Sequence, residues 1–443
     1  MPTIAQQTDA RRNRTLDDAL AEARATYVAR RPKSKAQHEA ARTVMPGGNT
    51  RTVLYYGPFP ICAASGEGAY LTDIDGHRYL NLLGEYTAGL YGHSHPVIRA
   101  AIDAALDDGI NYGAHNRMEA ELAAIVCARF PSIELVRFTN SGTEANLMAL
   151  ATARHATGRS RIMVFKGGYH GGLLYFGGGG IPINAPYPFV LARYNDVDGT
   201  RTMIAREAND LAAILVEPMM GSAGCIPAER EFLAMLREEA TRAGTALIFD
   251  EVMTSRFSSG GAQSLDGITP DMTTLGKYIG GGMSFGAFGG RRDLMRIYDP
   301  TAAGAMPHAG TFNNNVLSMA AGVAGMAKVF TPEAAAALHA RGEALRTRLN
   351  AVFADAGVAL QMTGRSSLMN LHAVTGAIRS VDDLAGSNDA AKELVFLDLL
   401  ERGYYMARRG FIALSLMVSD ADLDGFVAAV KDVLAEREDV LAA

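Results

Sequence analysis

The chain has 443 residues, of which 48% are hydrophobic and 20% are charged, so it can bury at least one large core and is not a disordered protein. Its net charge of −5 and pI near 6.1 provide no basic field for a phosphate backbone or an anionic lipid surface. Nucleic-acid and membrane-surface functions are therefore disfavoured, and a small molecule is the expected partner.

Three scattered cysteines, Cys62, Cys127 and Cys225, show no CxxC spacing. This pattern argues against a disulfide framework and a zinc site, so we expect three small buried side chains and no metal. The polar start of the chain lacks the apolar stretch of a signal peptide, and no run of about 18 apolar residues follows it. We therefore expect a protein of the reducing cytoplasm.

The predicted elements begin with two helices, in TLDDALAEARATYVARR and in SKAQHEAARTVMPGG, which stops at a Pro-Gly-Gly sequence. The following segment, GEGAYLTDIDGHRYLNLL, alternates apolar and polar residues around the turn signal Asp75-Gly76 and predicts a β-meander. We assign residues 1–84 to these helices and this meander, and we expect them to pack with a small C-terminal domain.

Residues 85–329 alternate short apolar strands with helical segments. The strands are predicted in RIMVFKGG, AAILVEPM, TALIFDEV and SFGAFGG, and this βαβ rhythm is typical of a mostly parallel, doubly wound sheet. Residues 330–443 combine long helical segments with short strands, which predicts a smaller α+β domain. The predicted fold class is therefore α/β, with a large sheet domain and a small domain.

The predicted strand ALIFDE ends in Asp250 and Glu251, and the glycine-rich segment TTLGKYIGGG with Lys277 follows it. Ligands bind at the carboxyl ends of strands in such sheets. There an aspartate can keep a pyridine nitrogen protonated, and a lysine in a partly dry pocket loses its proton more readily and attacks an aldehyde. Taken alone, each residue has an ordinary alternative, Asp250 as a helix cap and Lys277 as a solvated loop charge.

The segment VRFTNSGTEANLMALATARHATG predicts a strand, a turn and a long helix. The first turn of the helix presents Ser141, Gly142 and Thr143, whose N–H groups and hydroxyls suit a phosphate, as does the helix dipole. Ser141 or Thr143 as a plain N-cap is the structural alternative. The next strand leads to Tyr169 and His170, where an aromatic ring can stack on a planar cofactor.

Six motifs, NSGTEA, GGYHG, VEP, IFDEV, LGKYIGGG and HAGTFNNN, follow one another in this order. Together they resemble the class III aminotransferases of fold type I, which use pyridoxal 5′-phosphate and include the ω-transaminases and glutamate-1-semialdehyde aminomutase. The resemblance covers residues 45–416 and implies a homodimer whose active sites lie at the interface. A non-catalytic scaffold is disfavoured because Lys277, Asp250 and the phosphate-binding residues are all present.

The resemblance also implies a role for each site residue. Lys277 holds the cofactor as a Schiff base and later moves the proton, and Asp250 pairs with the pyridinium nitrogen. The other implied cofactor contacts are Val252 and Tyr169 on the two ring faces, Ser141, Gly142 and Thr143 at the phosphate with Thr311 of the partner subunit, and His170, Glu217 and Met253 around the ring.

Two arginines bear on the choice of substrate, Arg51 in NTRTVLYYGPFP and Arg409 in RRGF. An arginine offers a planar fork that matches a carboxylate in a bidentate pair. These segments, together with GEYTAGLYGHSHP and MTSR, resemble the β-amino acid (β-phenylalanine) aminotransferases. That resemblance implies that Arg51 is the main carboxylate anchor and that Arg409 binds the acceptor and swings aside for an aromatic donor.

We therefore predict a transaminase that moves the amino group of a β-amino acid, such as β-phenylalanine, to 2-oxoglutarate or pyruvate in a ping-pong reaction. The alternative is glutamate-1-semialdehyde 2,1-aminomutase, which has a similar MPGG start and SGTEA helix. Against it, FNNN follows Gly310-Thr311, and the chain has no tryptophan where the mutase usually carries one. His93 and His95 are assigned to structure, because Lys277 already supplies the proton carrier.

Overall fold

The structure, a computed structural model, describes residues 15–442, so the polar start of the chain at residues 1–14 lies outside the described residues. None of the helices in the described part is long and apolar enough to cross a bilayer. The strands are β1 Ala63–Glu67, β2 Tyr70–Asp73, β3 Arg78–Asn81, β4 Leu135–Thr139, β5 Arg161–Phe165, β6 Phe189–Ala192, β7 Leu211–Val216, β8 Met219–Met220, β9 Ile226–Pro227, β10 Ala246–Asp250, β11 Met272–Gly276, β12 Gly286–Gly290, β13 Gln361–Arg365, β14 Leu368–His372, β15 Tyr404–Tyr405 and β16 Phe411–Ala413.

The α-helices alternate with these strands, and shorter helical turns fill the connections. The α-helices are Leu16–Arg30, Pro32–Arg42, Pro96–Asp108, Arg117–Arg129, Gly142–Thr157, Val197–Glu207, Arg230–Ala243, Gly261–Asp266, Arg292–Met295, Val316–Ala324, Pro332–Asp355, Asp389–Glu401, Asp420–Glu436 and Glu438–Leu441. The 3-10 turns are Pro46–Gly48, Thr52–Leu54, Gly84–Thr87, Gly177–Gly179, Thr254–Phe257, Lys277–Gly280, Arg296–Tyr298 and Val381–Leu384, and Gly325–Val329 is a π-helix.

The large sheet has seven strands in the order β4-β12-β11-β10-β7-β5-β6. Strands β11, β10, β7, β5 and β6 run parallel, whereas β12 is antiparallel to both of its neighbours. The central strand β7, LAAILV, is buried at all six residues, as expected for a parallel strand covered on both faces. The mostly parallel sheet predicted from the βαβ rhythm is confirmed.

Alternate residues of the central strands enter two different cores. In β7, Ala213 and Leu215 pack with the helix Gly142–Thr157, whereas Ile214 and Val216 pack with the helix Arg230–Ala243 on the opposite face. The two-residue period of a strand produces this division. The carboxyl ends of the parallel strands are therefore positioned between two fixed helical layers.

Two smaller sheets contain the remaining long strands. The first has the order β1-β2-β3-β15, in which the N-terminal meander pairs in parallel with a strand from the C-terminal part of the chain. The second is the antiparallel sheet β13-β14-β16. The meander and the C-terminal elements thus share backbone hydrogen bonds, while the domain boundaries after residues 84 and 329 stay a prediction.

The cysteines are less uniformly buried than the sequence predicts. Cys225 is buried, but Cys62 and Cys127 are only partly buried, so the prediction is wrong for these two. Cys62 directly precedes β1 at the edge of a sheet, and Cys127 follows Val126 on the helix Arg117–Arg129, off the face on which Val126 is buried. All three thiols are free.

Candidate active site

A cavity of about 560 Å³ lies where the parallel strands β7, β10 and β11 end, a volume typical of small-molecule sites. Two residues predicted for the site, Thr311 and Arg409, do not line this cavity. The lining includes the predicted residues Arg51, Ser141, Gly142, Thr143, Tyr169, His170, Glu217, Asp250, Val252, Met253 and Lys277. No group of His, Cys, Asp or Glu side chains that could hold a metal ion occurs between residues 15 and 442.

Asp250 closes β10 and is 5% exposed. Its Oδ1 accepts a hydrogen bond from the Val252 N–H at 3.0 Å, and its Oδ2 accepts one from Asn146 Nδ2 at 2.9 Å. The ring of His170 lies with Nδ1 at 2.8 Å from the same Oδ2, which requires the imidazole proton on Nδ1. Three donors therefore fix a buried carboxylate that lines the cavity and can accept a hydrogen bond from a protonated ring nitrogen.

Asn146 is held in turn by Thr274 of β11, whose hydroxyl donates to the amide oxygen at 2.7 Å. Asn146 Nδ2 also donates to the His170 carbonyl at 3.0 Å. Asn146 is 1% exposed, so water does not compete for the hydrogen bonds that fix its amide group. We infer that Asn146 orients Asp250 and the loop that carries His170.

Lys277 directly follows β11 and has a backbone φ of +56°, a left-handed conformation that costs energy in a residue with a side chain. Burial lowers the pKa of Lys277 to about 8, although the negative charges of Asp250 and Glu217 oppose this shift. A larger fraction of the amine is therefore neutral near neutral pH than in an ordinary lysine. The neutral amine is the form that attacks a carbonyl and accepts a proton.

Glu217 follows β7 and is 6% exposed. Its two oxygens accept hydrogen bonds from the N–H groups of Tyr169 and Gly221, both at 3.0 Å. Burial raises the pKa of Glu217 to about 7, while the charge of His170 acts in the opposite direction. Glu217 therefore joins the loop that carries Tyr169 to the end of β7.

The helix Gly142–Thr157 begins at the cavity with Ser141 as its N-cap. The Ser141 hydroxyl accepts a hydrogen bond from the Glu144 N–H at 3.2 Å, so Ser141 is the N-cap of this helix, and its phosphate contact stays a prediction. The N–H groups of Gly142 and Thr143 lie in the first turn and have no acceptor within the helix. Together with the helix dipole they can bind a phosphate.

Close packing shapes the cavity floor. A Cβ at Gly142 would lie 2.9 Å from a methyl of Val252, and a Cβ at Gly171 would lie 2.1 Å from Thr143 Oγ1. Gly171 also has a φ of +120°, which a side chain rarely adopts. Glycine is therefore required at both positions for Val252 and Thr143 to pack against the backbone.

The spacing of these groups fits the expected cofactor. Gly142 at the phosphate end and Asn146 at the Asp250 end are four residues apart on one helix, or roughly 6 Å along its axis at 1.5 Å per residue. This distance suits a pyridine ring that carries a phosphate on a one-carbon arm. Val252 and Tyr169 both line the cavity, and the Tyr169 side chain is 42% exposed with its ring against Tyr175.

The two predicted arginines occupy different positions. Arg51 lines the cavity and forms an ion pair with Glu85. The guanidinium of Arg409 lies 5.2 Å from the ring centroid of Tyr86 and 5.6 Å from that of Phe411. Tyr86 lines the cavity and Arg409 does not, so in this conformation Arg409 contacts a residue of the cavity wall without lining the cavity itself.

The segment around Arg409 is held by several contacts. Arg409 Nη1 donates to the Ser222 carbonyl at 2.6 Å, whereas Arg408 turns away and pairs with Glu393 at 2.9 Å. A Cβ at Gly410 would lie 2.4 Å from the Leu371 carbonyl, and its φ is +102°. Only the Arg409 side chain is thus available to the substrate pocket.

Thr311 is exposed and lies away from Lys277 in its own chain. It lines a separate open cavity together with Tyr112, His115 and Phe312, and the Phe312 side chain is 55% exposed. A phosphate contact from Thr311 would therefore be made to another chain, and this contact stays a prediction.

His93 and His95 have structural partners. His95 caps the helix Pro96–Asp108 by accepting from the Val97 N–H at 3.3 Å. The ring of His93 lies with Nε2 at 3.1 Å from Asn81 Nδ2. Burial lowers the pKa of both histidines, which agrees with their assignment to structure.

The sequence did not indicate several residues of the cavity. Asn146 could have been recognised from the sequence, because it is a polar residue on the helix face that also buries Ala145 and Ala149. Glu85 and Tyr86 carry none, because their place depends on a left-handed turn that no local sequence pattern specifies.

Comparison of the sequence and the structure with known proteins identifies the family to which this chain is similar. The family model described as aminotransferase class-III matches residues 54–176 and 183–434. The β-phenylalanine transaminase of Variovorax paradoxus is 55% identical to this chain over 415 residues, which cover 94% of this chain and 95% of that protein. A solved structure of a β-phenylalanine aminotransferase from Variovorax paradoxus has a TM-score of 0.95 at 53% identity and covers 97% of this chain and 99% of its own. An ω-transaminase from Sphaerobacter thermophilus has a TM-score of 0.86 at 38% identity, with 92% and 99% covered.

Proposed function

The chain belongs to the class III aminotransferases, and from this membership we propose that it moves the amino group of a β-amino acid, such as β-phenylalanine, to 2-oxoglutarate or pyruvate. It is an aminotransferase of fold type I, and the cofactor of this family is pyridoxal 5′-phosphate. The proposal extends to the substrates, the ping-pong order of the two half reactions and the roles of the site residues. The specificity of the Variovorax paradoxus relative supports the choice of donor.

The cofactor, when bound, supplies an aldehyde that joins to amines and a ring that withdraws electrons from the substrate carbon. We assign the ring nitrogen to Asp250, whose carboxylate holds the proton there, and the ring faces to Val252 and Tyr169. The first turn at Ser141, Gly142 and Thr143 binds the phosphate, with Thr311 of a partner chain. His170 and Glu217 orient Asp250 and the Tyr169 loop, and Met253 lines the ring pocket.

Lys277 would hold the cofactor covalently and, once the substrate amine has replaced its own, would move the proton from the substrate carbon to the former aldehyde carbon. Its amine lies in the same cavity as Asp250, and its lowered pKa favours the neutral form that accepts this proton. In the acceptor half reaction the same amine would move the proton in the opposite direction. A second base is not needed, which agrees with the structural contacts of His93 and His95.

The observation that carries the choice of substrate is the presence of Arg51 in the cavity of Lys277. A substrate whose amine lies at Lys277 can then place its carboxylate at Arg51, and the guanidinium fork matches a carboxylate in a bidentate pair. We assign Arg51 to the carboxylate that donor and acceptor share.

We assign Arg409 to the second carboxylate of 2-oxoglutarate. Its guanidinium lies on the ring of Tyr86, so an aromatic donor side chain meets an aromatic wall while the cation stays outside the cavity. A cation facing an aryl group would be unpaired and partly desolvated, which is costly. Arg409 therefore enters the cavity for the acceptor and stays on Tyr86 and Phe411 for the donor.

The two half reactions, followed separately by cofactor absorbance, test this assignment. Arg409→Ala should weaken 2-oxoglutarate by about 10- to 100-fold, as expected for a lost charge-assisted pair, and leave β-phenylalanine nearly unchanged. Arg51→Ala should impair both half reactions. Arg408→Ala, which removes a neighbouring arginine paired with Glu393, is the control. Equal losses for donor and acceptor in Arg409→Ala would contradict the division of roles.

A donor panel separates this function from the aminomutase alternative. Turnover of β-phenylalanine with an external 2-oxo acid supports the transaminase, whereas conversion of glutamate-1-semialdehyde without an acceptor would support the mutase. Offering pyruvate beside 2-oxoglutarate identifies the preferred acceptor.

We also propose a homodimer that acts in the cytoplasm. Exposed apolar side chains at Ile110, Tyr112, Met306 and Phe312 support a partner surface near Thr311. Sedimentation of the holoenzyme measures the oligomeric state directly.

A further inference from the structure

Glu85 stands in a strained turn at the edge of the active-site cavity. Gly84, Glu85, Tyr86 and Thr87 all have positive φ angles, between +49° and +83°, although three of them carry side chains. Such strain persists only where surrounding contacts impose it, and it is concentrated at functional sites. Here the Asn81 side chain accepts from the Gly84 N–H at 3.1 Å, and the buried Arg256 donates to the Thr87 carbonyl.

The turn directs the Glu85 carboxylate towards Arg51, with which it forms an ion pair. Both side chains remain about half exposed, at 52% for Glu85 and 45% for Arg51. Within residues 15–442, Glu85 is the carboxylate that contacts Arg51. The guanidinium assigned to the substrate carboxylate is therefore already paired with a carboxylate of the protein.

Glu85 also lines a second cavity, of about 170 Å³, that adjoins the first. Ala88 and Gly282 line both cavities, so Glu85 lies at the wall between them. The second cavity is polar where it meets Asn81 and His93. It offers space lined by polar side chains for the Glu85 carboxylate away from Arg51.

We propose that Glu85 sets the affinity for carboxylate substrates by occupying Arg51 until a substrate carboxylate displaces it into the second cavity. This inference rests on the proposed function, because it uses the assignment of Arg51 to the substrate carboxylate. Two carboxylates at one guanidinium would repel each other, so binding of the substrate favours release of Glu85. An amine without a carboxylate gains nothing from this exchange.

The exchange has a measurable consequence for affinity. Replacement of Glu85 by glutamine keeps the shape of the side chain and the backbone strain but removes the competing charge. Exposed ion pairs contribute modestly, so a carboxylate ligand should bind roughly two- to fivefold more tightly to Glu85→Gln than to the wild type. The matched control is Glu67→Gln, which changes an exposed acid on β1 that lines neither cavity.

Calorimetry of the holoenzyme with 3-phenylpropanoate, which has the carboxylate and aryl group of the donor but no amine, measures this affinity without turnover. The gain should vanish when Glu85→Gln is combined with Arg51→Ala, because the two effects share one contact. An aryl alkyl amine without a carboxylate, α-methylbenzylamine, should have the same Michaelis constant in Glu85→Gln as in the wild type.

Unchanged or weaker binding of 3-phenylpropanoate to folded Glu85→Gln holoenzyme would overturn the exchange, as would a gain that persists without Arg51. Weaker binding would instead identify Glu85 as a residue that positions Arg51. Failure of the wild type to transaminate β-phenylalanine would overturn the proposed function instead, so the two failures are distinguishable.

Discussion

The amine of Lys277 must be neutral before it can attack the cofactor aldehyde. Because it is buried in the cavity, this amine becomes neutral at a lower pH than the amine of a lysine in water. Because burial lowers the pKa of Lys277 to about 8, the rate of covalent cofactor attachment to the apoenzyme should rise about tenfold per pH unit below 8 and level off above it. Stopped-flow absorbance over pH 6 to 10 measures this rate. A rise that continues to about pH 10 would show an ordinary lysine, and Lys277→Ala, which has no amine, should give no covalent attachment.

The Asp250 carboxylate is expected to hold a proton at the ring nitrogen, which a neutral amide cannot do. Asp250→Asn can keep an oxygen towards Asn146 and His170, but its amino group then faces the Val252 N–H. We expect the first half reaction with β-phenylalanine to slow by roughly two to four orders of magnitude.

Single-turnover absorbance measures the effect of Asp250→Asn, and circular dichroism checks its folding. Asp210→Asn, at a half-exposed aspartate that is hydrogen-bonded to Ser160 and lies outside the cavity, is the control. A first half reaction as fast as that of the wild type would remove Asp250 from this role.

Glu251 connects two elements behind the active site, although it is the immediate neighbour of Asp250. The side chain is fully buried and accepts from the Ala262 N–H at 2.6 Å, from the Gln263 N–H at 3.0 Å and from Gln263 Nε2 at 3.0 Å. It therefore ties the end of β10 to the short helix Gly261–Asp266. Its role is structural, since these donors account for both oxygens.

Glu251→Gln should lower the free energy of unfolding by about 1–3 kcal/mol, because an amide group would then face buried N–H donors without an acceptor. Urea unfolding of the cofactor-free protein measures the change. Glu121→Gln, at an exposed position of the helix Arg117–Arg129, should have almost no effect. Equal stability of Glu251→Gln and the wild type would show that solvent or rearrangement satisfies these donors.

At the scale of elements, the sequence predicts what local patterns encode. Apolar runs such as LAAILV define buried strands, and the chain reversal at the end of a parallel strand brings Glu217, Asp250 and Lys277 together. The left-handed turn at Gly84–Thr87 has no such pattern, because its strain is balanced by the distant Arg256. The two-residue strand β15 could not be predicted from the sequence either, because it is defined only by its pairing with β3.

At the scale of the whole molecule, the residues proposed to bind the cofactor and those proposed to bind the substrate come from different parts of the chain. The groups assigned to the cofactor come from the large sheet, whereas Arg51 and Tyr86 precede it and Arg409 follows it. A Cβ at Gly84 would lie 2.5 Å from the Ala413 carbonyl of β16. The segment before the large sheet and the segment after it therefore pack closely against each other beside the cavity. Sequence spacing alone could not place Arg409 on Tyr86.

In the proposed homodimer, a partner subunit would supply the part of the site that one chain cannot. Thr311 is exposed and outside the cavity of Lys277, so its expected phosphate contact requires a second copy. Thr311→Glu should abolish activity in the homodimer, because a carboxylate would face the phosphate, and Lys277→Ala should do so by removing the amine.

Co-expression of differently tagged Lys277→Ala and Thr311→Glu chains tests the shared site. In the mixed dimer, one site combines the intact Lys277 of one chain with the intact Thr311 of the other, so that site should be active. With random pairing, half of the dimers are mixed and each has one active site, which gives about a quarter of the wild-type activity. If Thr311 acted within its own chain, every site would contain one of the two lesions and the mixed dimers would be inactive. Purification through both tags isolates the mixed dimer, whose activity should then be about half that of the wild type.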